Sequence, residues 1–235
     1  MRTIIHIFIF TFIVPLHAQQ SDFNEIDFWR ADYIAKGHKG EELYDMQRLA
    51  HGFTTQLSTE VERFRVIYYW VCHNIAGDYY LTAENDAERL RLKDDPVALE
   101  RWNHQFKKKA FTKLLMQKKT LCTGYAYLIK VLANLVGLEC EIVYGYGQTI
   151  KAKFDKLVAP NHSWNAVKLD GKWYLCDATW SSGVIDMSTY SFEFKYDDSF
   201  FLMEPSEFAK SHQPIEEKWL LMEQDSISAQ TKHFH

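Results

Sequence analysis

The sequence lacks several features that would assign it at once to a common class of protein. It contains no internal repeat and no low-complexity linker, so we predict one domain over residues 19–228 and a flexible tail at 229–235. Basic residues are not in excess, because 27 Lys and Arg stand against 31 Asp and Glu. Nucleic-acid binding needs a concentrated basic face, so we expect no nucleic-acid partner.

Long apolar runs are also scarce, and the one that stands out is at the N-terminus. Arg2 precedes a mostly apolar stretch that ends at Leu16, and Ala18 stands before Gln19 as the end of a cleavage site. This pattern is typical of a secretory signal peptide, with an uncleaved apolar N-terminus as the alternative. We therefore predict a signal peptide at 1–18, an exported mature chain, and no stable membrane insertion after cleavage.

Cysteines are few, and none stands in a Cys-X-X-Cys pair. An even count of four in an exported chain would permit disulfides. The chain is nevertheless long enough to build a core without them, and each cysteine lies in an apolar or aromatic segment. We therefore expect Cys72, Cys140 and Cys176 to be small buried side chains rather than disulfide partners.

Helix signals dominate the first half of the chain. Amphipathic segments before residue 54 predict N-terminal helices. Thr59 and Glu62 stand in capping-box spacing at the start of another helix, and Asp95 with Pro96 opens a further one. Residues 81–94 have no apolar period, so we predict an irregular surface excursion there.

A hairpin follows in the second half. Asp170 and Gly171 lie between two segments rich in Trp, Val and Tyr, at 163–167 and 173–179. Asp-Gly is a strong signal for a two-residue turn, which would pair residue 169 with residue 172. Counting outward places Trp164 opposite Asp177.

This register brings a histidine and a carboxylate together. His162 would face Thr179, so His162 and Asp177 would be diagonal neighbours on one face of the hairpin. Diagonal residues are roughly 7–8 Å apart at the backbone, within reach for an imidazole and a carboxylate. Such a pair is as common in structural hydrogen bonds as in catalysis, so a third group is needed to decide.

That third group is Cys122. It stands with Thr123 and Gly124 at the start of a strongly apolar segment that Gly137 ends, which predicts a buried helix with the cysteine at its N-terminus. The helix dipole and the free N–H groups of a first turn favour a thiolate and can hold an oxyanion. A cysteine, a histidine and an aspartate in these settings predict a Cys122–His162–Asp177 triad.

Three segments carry a family resemblance: Leu121-Cys122-Thr123-Gly124-Tyr125-Ala126, Asn161-His162-Ser163-Trp164-Asn165-Ala166-Val167 and Trp173-Tyr174-Leu175-Cys176-Asp177-Ala178-Thr179-Trp180. Together they resemble the transglutaminase-like superfamily, and within it the kyphoscoliosis-peptidase type. The likeness covers most of residues 60 to 222 and includes His212-Gln213-Pro214.

The resemblance implies an α+β, papain-like fold, in which a Cys-bearing helix packs on an antiparallel sheet carrying His and Asp. It assigns Cys122 as nucleophile, His162 as base and Asp177 as the group that orients the imidazole. No cofactor and no metal are implied. Two positions depart from the family pattern: Leu121 stands where Gly is frequent, and Ser163 where Ala is frequent. Leu121 raises the question of how open the substrate approach is.

The predicted chemistry is acyl transfer through a thioester, on a protein or peptide substrate. Water as acceptor gives a peptidase or amidase and an amine gives a transglutaminase; export favours hydrolysis slightly. One alternative is a catalytically inactive protein-interaction module. Another, less favoured, is a zinc site made of the same three residues, which lacks a fourth ligand at short spacing. For His212 a structural role fits better than catalysis. The sequence does not predict an oligomeric state.

Overall fold

The computed structural model describes residues 20–148 and 160–222. The predicted signal peptide at 1–18 and the tail at 229–235 lie outside the described residues. Among the helices that are described, none is both long enough and apolar enough to cross a membrane.

Helices dominate the described residues up to Leu135, and most of the strands follow it. The helices are α1 (Trp29–Gly37), α2 (Met46–Thr54), α3 (Glu60–Asn74), α4 (Tyr79–Arg91), α5 (Pro96–Gln117), α6 (Cys122–Leu135), α7 (Ala178–Ser182) and α8 (Pro205–Phe208). The strands are β1 (Ala76–Gly77), β2 (Lys119–Thr120), β3 (Cys140–Gly147), β4 (His162–Leu169), β5 (Lys172–Cys176), β6 (Gly183–Asp186), β7 (Ser191–Phe194) and β8 (His212–Pro214).

The centre of the fold is a four-stranded antiparallel sheet in the order β5-β4-β3-β8. Helix α6 packs against β4 and β3, and the N-terminal helices α2 and α3 pack against α6 in turn. The side chains of β4 alternate, so Val167 enters the large core shared with α3 and α6, whereas Trp164 enters a smaller cluster with Phe208 of α8. The predicted α+β architecture is confirmed.

The predicted helix starts are confirmed for α3 and α5. Thr59 caps α3 in a capping box with Glu62, in which each side chain accepts from the other residue's backbone N–H. Asp95 caps α5 by accepting from the N–H of Ala98, and Pro96 is the first residue of that helix.

The prediction of an irregular excursion at 81–94 is wrong. Most of that range belongs to α4, which Asp78 caps by accepting from the N–H of Leu81. Leu81 is the one buried residue of α4, and it clusters with Phe106 and Leu121. A helix anchored by a single apolar side chain leaves no apolar period to detect, so its cap was the only available signal.

The hairpin prediction is confirmed at the turn and wrong at its far end. Leu169 pairs with Lys172, and both turn residues have positive φ, 49° at Asp170 and 84° at Gly171. Strand β5 however ends at Cys176, which pairs with Asn165. Asp177 is therefore not paired with Trp164, contrary to the prediction. The chain turns into α7 instead, because the Asp177 side chain caps that helix.

The cysteines divide as predicted. Cys72, Cys140 and Cys176 are buried and free, and burial raises the pKa of each thiol, so these three are unreactive core side chains. Cys122 is also free, and as a residue it is only half-buried, unlike the other three.

Candidate active site

Cys122 is the first residue of α6, and this helix begins without a side-chain cap. Leu121 precedes it in extended conformation and offers no side-chain hydrogen bond to the first turn. The backbone N–H groups of Gly124 and Tyr125 donate to the carbonyl of Leu121, whereas those of Cys122 and Thr123 precede the hydrogen-bonded ladder. The thiol therefore stands at a helix N-terminus with two backbone donors beside it.

His162 is the first residue of β4 and lies at the end of the sheet. Its partner across the ladder is Gly145 of β3. A Cβ at Gly147 would lie 2.8 Å from Cβ and two ring atoms of His162, so only glycine lets the imidazole approach the backbone this closely. The Trp180 ring also stacks on the imidazole, at 5.2 Å between centroids. The imidazole is thus packed against both a backbone and an indole.

Asp177 is fully buried, and both of its carboxylate oxygens accept hydrogen bonds. Oδ1 caps α7 by accepting from the N–H groups of Thr179 at 2.8 Å and Trp180 at 3.3 Å. Oδ2 lies 2.7 Å from His162 Nε2 and 3.1 Å from His212 Nε2. An ionised carboxylate can only accept hydrogen bonds, so Nε2 of His162 and Nε2 of His212 each carry a hydrogen.

The backbone of Asp177 is held as well. Its carbonyl accepts from the Tyr68 hydroxyl at 2.9 Å, and its N–H donates to the carbonyl of Phe200 at 3.1 Å. The backbone of Asp177 is therefore held by two hydrogen bonds that do not involve either histidine.

The charges at the site reinforce one another. Burial opposes a charge on His162, but the carboxylate of Asp177 and the thiol of Cys122 outweigh it and raise the pKa of His162 to about 10. Burial likewise disfavours the charge of Asp177, yet the charge and hydrogen bond of His162, together with His212, hold the pKa of its carboxyl well below the usual range. Burial raises the pKa of the Cys122 thiol, but the hydrogen bond and charge of His162 prevail, so that pKa is lowered overall.

These contacts define which nitrogen of His162 serves which partner. Nε2 donates to Asp177, so Nδ1 is the ring nitrogen left for Cys122. Two hydroxyls surround the thiol: Thr123 Oγ1 lies 4.0 Å from Cys122 Sγ, and Ser163 Oγ lies 3.4 Å from Thr123 Oγ1. Both hydroxyls also lower the pKa of Cys122.

The two departures from the family pattern are both buried. Ser163 contributes a hydroxyl that lowers the pKa of the Cys122 thiol. Leu121 packs in the cluster with Leu81 and Phe106. His162 contacts Asp177 at 2.7 Å and lowers the pKa of the Cys122 thiol; that the three residues form a catalytic triad stays a prediction.

Sequence reasoning missed the position of His212. This residue of β8 is buried, its ring packs on Phe208 at 3.9 Å, and its Nε2 contacts the same carboxylate oxygen as His162. The residue is 35 positions from Asp177 and reaches it only because β8 pairs with β3. The sequence signal was the His212-Gln213-Pro214 segment of the family resemblance, which carries no information about the contact.

The donor atoms of His162, Asp177 and His212 lie within 4.8 Å of one another, close enough to be considered as metal ligands. Their spacing fits hydrogen bonds better. Ligands at about 2.0–2.2 Å from a tetrahedral zinc ion are roughly 3.3 Å apart, whereas His162 Nε2 and Asp177 Oδ2 are separated by 2.7 Å. The earlier zinc alternative invoked Cys122, and this cluster includes His212 in its place.

Comparison with known proteins gives a consistent family. The model of the transglutaminase-like superfamily matches residues 47–178. Human kyphoscoliosis peptidase is 32% identical over 208 residues, 85% of this chain and 27% of that protein, and hillarin of Drosophila melanogaster is 26% identical over 84% of this chain and 23% of its own length. The chain thus spans about a quarter of the length of these relatives.

A search of solved structures finds a crystal structure of a TGase that is 18% identical, with a TM-score of 0.37, covering 77% of this chain and 40% of that one. The family match includes α6 and the hairpin, and it ends one residue beyond Asp177. By sequence, and with the α+β fold that its residues build, this chain belongs to the transglutaminase-like superfamily.

Proposed function

We propose that this protein is a thiol-dependent acyl-transfer enzyme that acts on peptide or glutamine carboxamide carbonyls. In this proposal Cys122 is the nucleophile, His162 the acid and base, and Asp177 the group that orients the imidazole. The observation that carries it is the buried His162–Asp177 pair, 2.7 Å between Nε2 and Oδ2, beside Cys122, a half-buried residue whose thiol has a lowered pKa.

The resting pair is an imidazolium and a thiolate. Because His162 Nε2 is committed to Asp177, the proton shared with Cys122 is on Nδ1. A free thiol with a pKa of about 8.5 is only a few per cent ionised at neutral pH, whereas a cysteine paired with a histidine can be fully ionised. The surrounding hydroxyls of Thr123 and Ser163 support the same state.

In the first half of the reaction the thiolate attacks the substrate carbonyl carbon and a C–S bond forms. The carbonyl oxygen takes the electron pair as an oxyanion, for which the N–H groups of Cys122 and Thr123 are the available donors. The C–N bond then breaks, and His162 gives its Nδ1 proton to the departing amine or ammonia. The product on the enzyme is a thioester.

In the second half neutral His162 removes a proton from the acceptor, which attacks the thioester carbon. The C–S bond breaks and Cys122 leaves as thiolate beside the reprotonated imidazole. Water as acceptor gives hydrolysis and a primary amine gives transamidation. The human relative is named a peptidase, and this favours hydrolysis here.

Cys122 reactivity tests the proposal directly. We would measure the rate of iodoacetamide alkylation at Cys122 against pH for the chain from Gln19, with peptide mapping to separate the three buried cysteines. We expect rapid labelling well below pH 7 that is lost in His162→Ala. His104→Ala is the matched control, because His104 is an exposed histidine on α5.

Labelling that rises only near about pH 8–9 and does not change in His162→Ala would show an ordinary thiol. That result would overturn the enzyme proposal in favour of an inactive interaction module with the same fold.

The acceptor can be identified with a glutamine-containing peptide and a labelled primary amine. Deamidated or cleaved peptide with no amine incorporated is the expected product, and Cys122→Ser should abolish it. Incorporation of the amine would assign a transglutaminase instead.

Export of the chain is part of the same proposal, and its support is the sequence pattern at 1–18. Expression of the full chain followed by fractionation should give a secreted or periplasmic form that begins at Gln19. A form retained in the cytoplasm that still begins at Met1 would contradict this.

A further inference from the structure

The carboxylate of Asp177 is shared between two histidines. Oδ2 accepts from His162 Nε2 at 2.7 Å and from His212 Nε2 at 3.1 Å, while Oδ1 is committed to the first turn of α7. A Cys–His–Asp mechanism requires only the first of these contacts. The second histidine needs its own explanation.

The surroundings of His212 make it a rigid hydrogen-bond donor. Its side chain has no exposed surface, and it packs on Phe208 at 3.9 Å, Trp180 at 4.4 Å and Trp164 at 5.0 Å between ring centroids. Nδ1 lies 2.9 Å from the hydroxyl oxygen of Ser211. With both nitrogens contacted and three aromatic rings packed against it, the ring is held in an orientation in which Nε2–H points at Asp177.

The protonation states of the two rings differ. Burial lowers the pKa of His212, and although the charge and hydrogen bond of Asp177 oppose this, the neutral ring is favoured. A neutral donor fixes the carboxylate without neutralising it. The negative charge of Asp177 therefore remains available to stabilise the His162 imidazolium.

The sheet supplies the geometry. Strand β8 pairs with the end of β3 so that His212 is opposite Gly147, the glycine against which the His162 ring lies. His162 on β4 and His212 on β8 therefore lie at the same end of the sheet, on the two strands that flank β3. Both rings contact the same carboxylate.

We propose that His212 is a positioning residue: its Nε2–H fixes the Asp177 carboxylate, and through it the orientation of His162 toward Cys122. This inference rests on the proposed function. It differs from a purely structural role, in which His212 would contribute packing alone and the reactivity of Cys122 would not depend on its N–H group.

Two substitutions separate packing from donation. His212→Phe keeps an aromatic ring against Phe208 and removes the donor. His212→Gln loses the ring but places an amide N–H at about the reach of Nε2. We would measure the pH dependence of Cys122 alkylation in both variants, beside wild type and His162→Ala, with thermal melts to establish that each variant is folded.

If His212 positions the carboxylate, alkylation at neutral pH falls about tenfold in His212→Phe, as expected when a hydrogen bond to a charged group is lost, and the pH profile moves upward. His212→Gln should recover most of the wild-type rate despite its poorer packing. The imidazole ¹⁵N spectrum should show the His162 Nε2–H signal displaced in the Phe variant and restored in the Gln variant.

Folded His212→Phe protein with the wild-type rate, profile and His162 signal would overturn the positioning role while leaving the proposed function intact. If both variants instead lose reactivity in proportion to their loss of stability, packing explains the effect and the inference is also overturned. An ordinary thiol in wild type, unchanged in His162→Ala, would overturn the proposed function itself, and the inference with it.

Discussion

Two histidines contact the same carboxylate oxygen of Asp177, but their pKa values are shifted in opposite directions. His162 lies at the start of β4 beside the half-buried residue Cys122, and the pKa of its imidazole is raised to about 10. His212 lies behind it among aromatic rings, and burial lowers its pKa despite the carboxylate.

The difference arises from the groups around each ring. Asp177 and the thiol of Cys122 both raise the pKa of His162, and together they outweigh the cost of burying a charge. Among the described residues His212 contacts the shared carboxylate and, at its other nitrogen, a neutral hydroxyl, while the charge of His162 lowers its pKa further. One buried carboxylate therefore stabilises one imidazolium, and the second ring serves it as a neutral donor.

Removing the shared partner should have the largest effect. Asp177→Ala leaves His162 without its carboxylate and α7 without its cap, so we expect a loss of about 3–5 kcal/mol in the free energy of unfolding at pH 7. Urea denaturation measures it. Asp177→Asn keeps an oxygen that can cap α7 and should lose less. A loss below about 1 kcal/mol in the Ala variant would contradict the importance of this contact.

Substituting two glycines of β3 should disturb the two histidines separately. A Cβ at Gly145 would lie 2.2 Å from the carbonyl oxygen of Gln213, so Gly145→Ala should push β8 away. A Cβ at Gly147 would instead collide with His162 at 2.8 Å. We expect each variant to lose about 1–3 kcal/mol in urea denaturation.

Their effects on the rings should differ. In imidazole ¹⁵N spectra, Gly145→Ala should displace mainly the His212 signals and Gly147→Ala mainly those of His162. Equal displacement of both histidines by either variant would mean that the two rings move as one unit.

The pH dependence of stability should have opposite signs for the two histidines. The pKa of His162 is raised on folding, so its contribution is fully present below about pH 6.5 and is lost as the pH rises through about 10. The pKa of His212 is lowered, so its contribution is present above about pH 6.5 and is lost as the pH falls.

To test this, we would measure the free energy of unfolding from pH 5 to 10 for wild type, His162→Gln and His212→Gln. The gap between wild type and the first variant should narrow toward high pH, and the gap to the second should narrow toward low pH. Gaps that change in the same direction would contradict the assignment of charge to one ring only.

The smallest effect is expected at the hydroxyl that contacts His212. Ser211→Ala removes the partner of Nδ1, 2.9 Å away, and should cost about 0.5–1.5 kcal/mol. It should also shift the Nδ1 signal of His212 while leaving the alkylation of Cys122 within about twofold of wild type. Ser188→Ala is the control, because Ser188 is a serine whose hydroxyl bonds Asp186 in the β6–β7 hairpin. A fall in the alkylation rate as large as that expected for His212→Phe would show that Nδ1 contributes as much as Nε2.

Local chemistry explains which predictions from sequence are confirmed. The cap of α3 at Thr59, the turn at Asp170 and Gly171, and the start of α6 at Cys122 each depend on a few neighbouring residues. Helix α4 was missed because a single buried leucine anchors it and leaves no period.

The fate of Asp177 shows the limit of strand counting. Extending the ladder placed it opposite Trp164, but its own side chain starts a helix and ends β5 one residue earlier. Asp177 still contacts His162, because both residues lie at the same end of the sheet. Its carboxylate accepts from His162 at one oxygen and caps α7 with the other.

The sequence alone determined that Cys122 begins a buried helix, that a turn at Asp170 and Gly171 brings the segments of His162 and Asp177 to one end of the sheet, and that the chain resembles the transglutaminase-like superfamily, because these properties reside in contiguous segments. Only the tertiary structure decided that His212 joins them. Its contact with Asp177 depends on the pairing of β8 with β3 across the sheet, and such long-range pairing leaves no periodic or local signal in the chain.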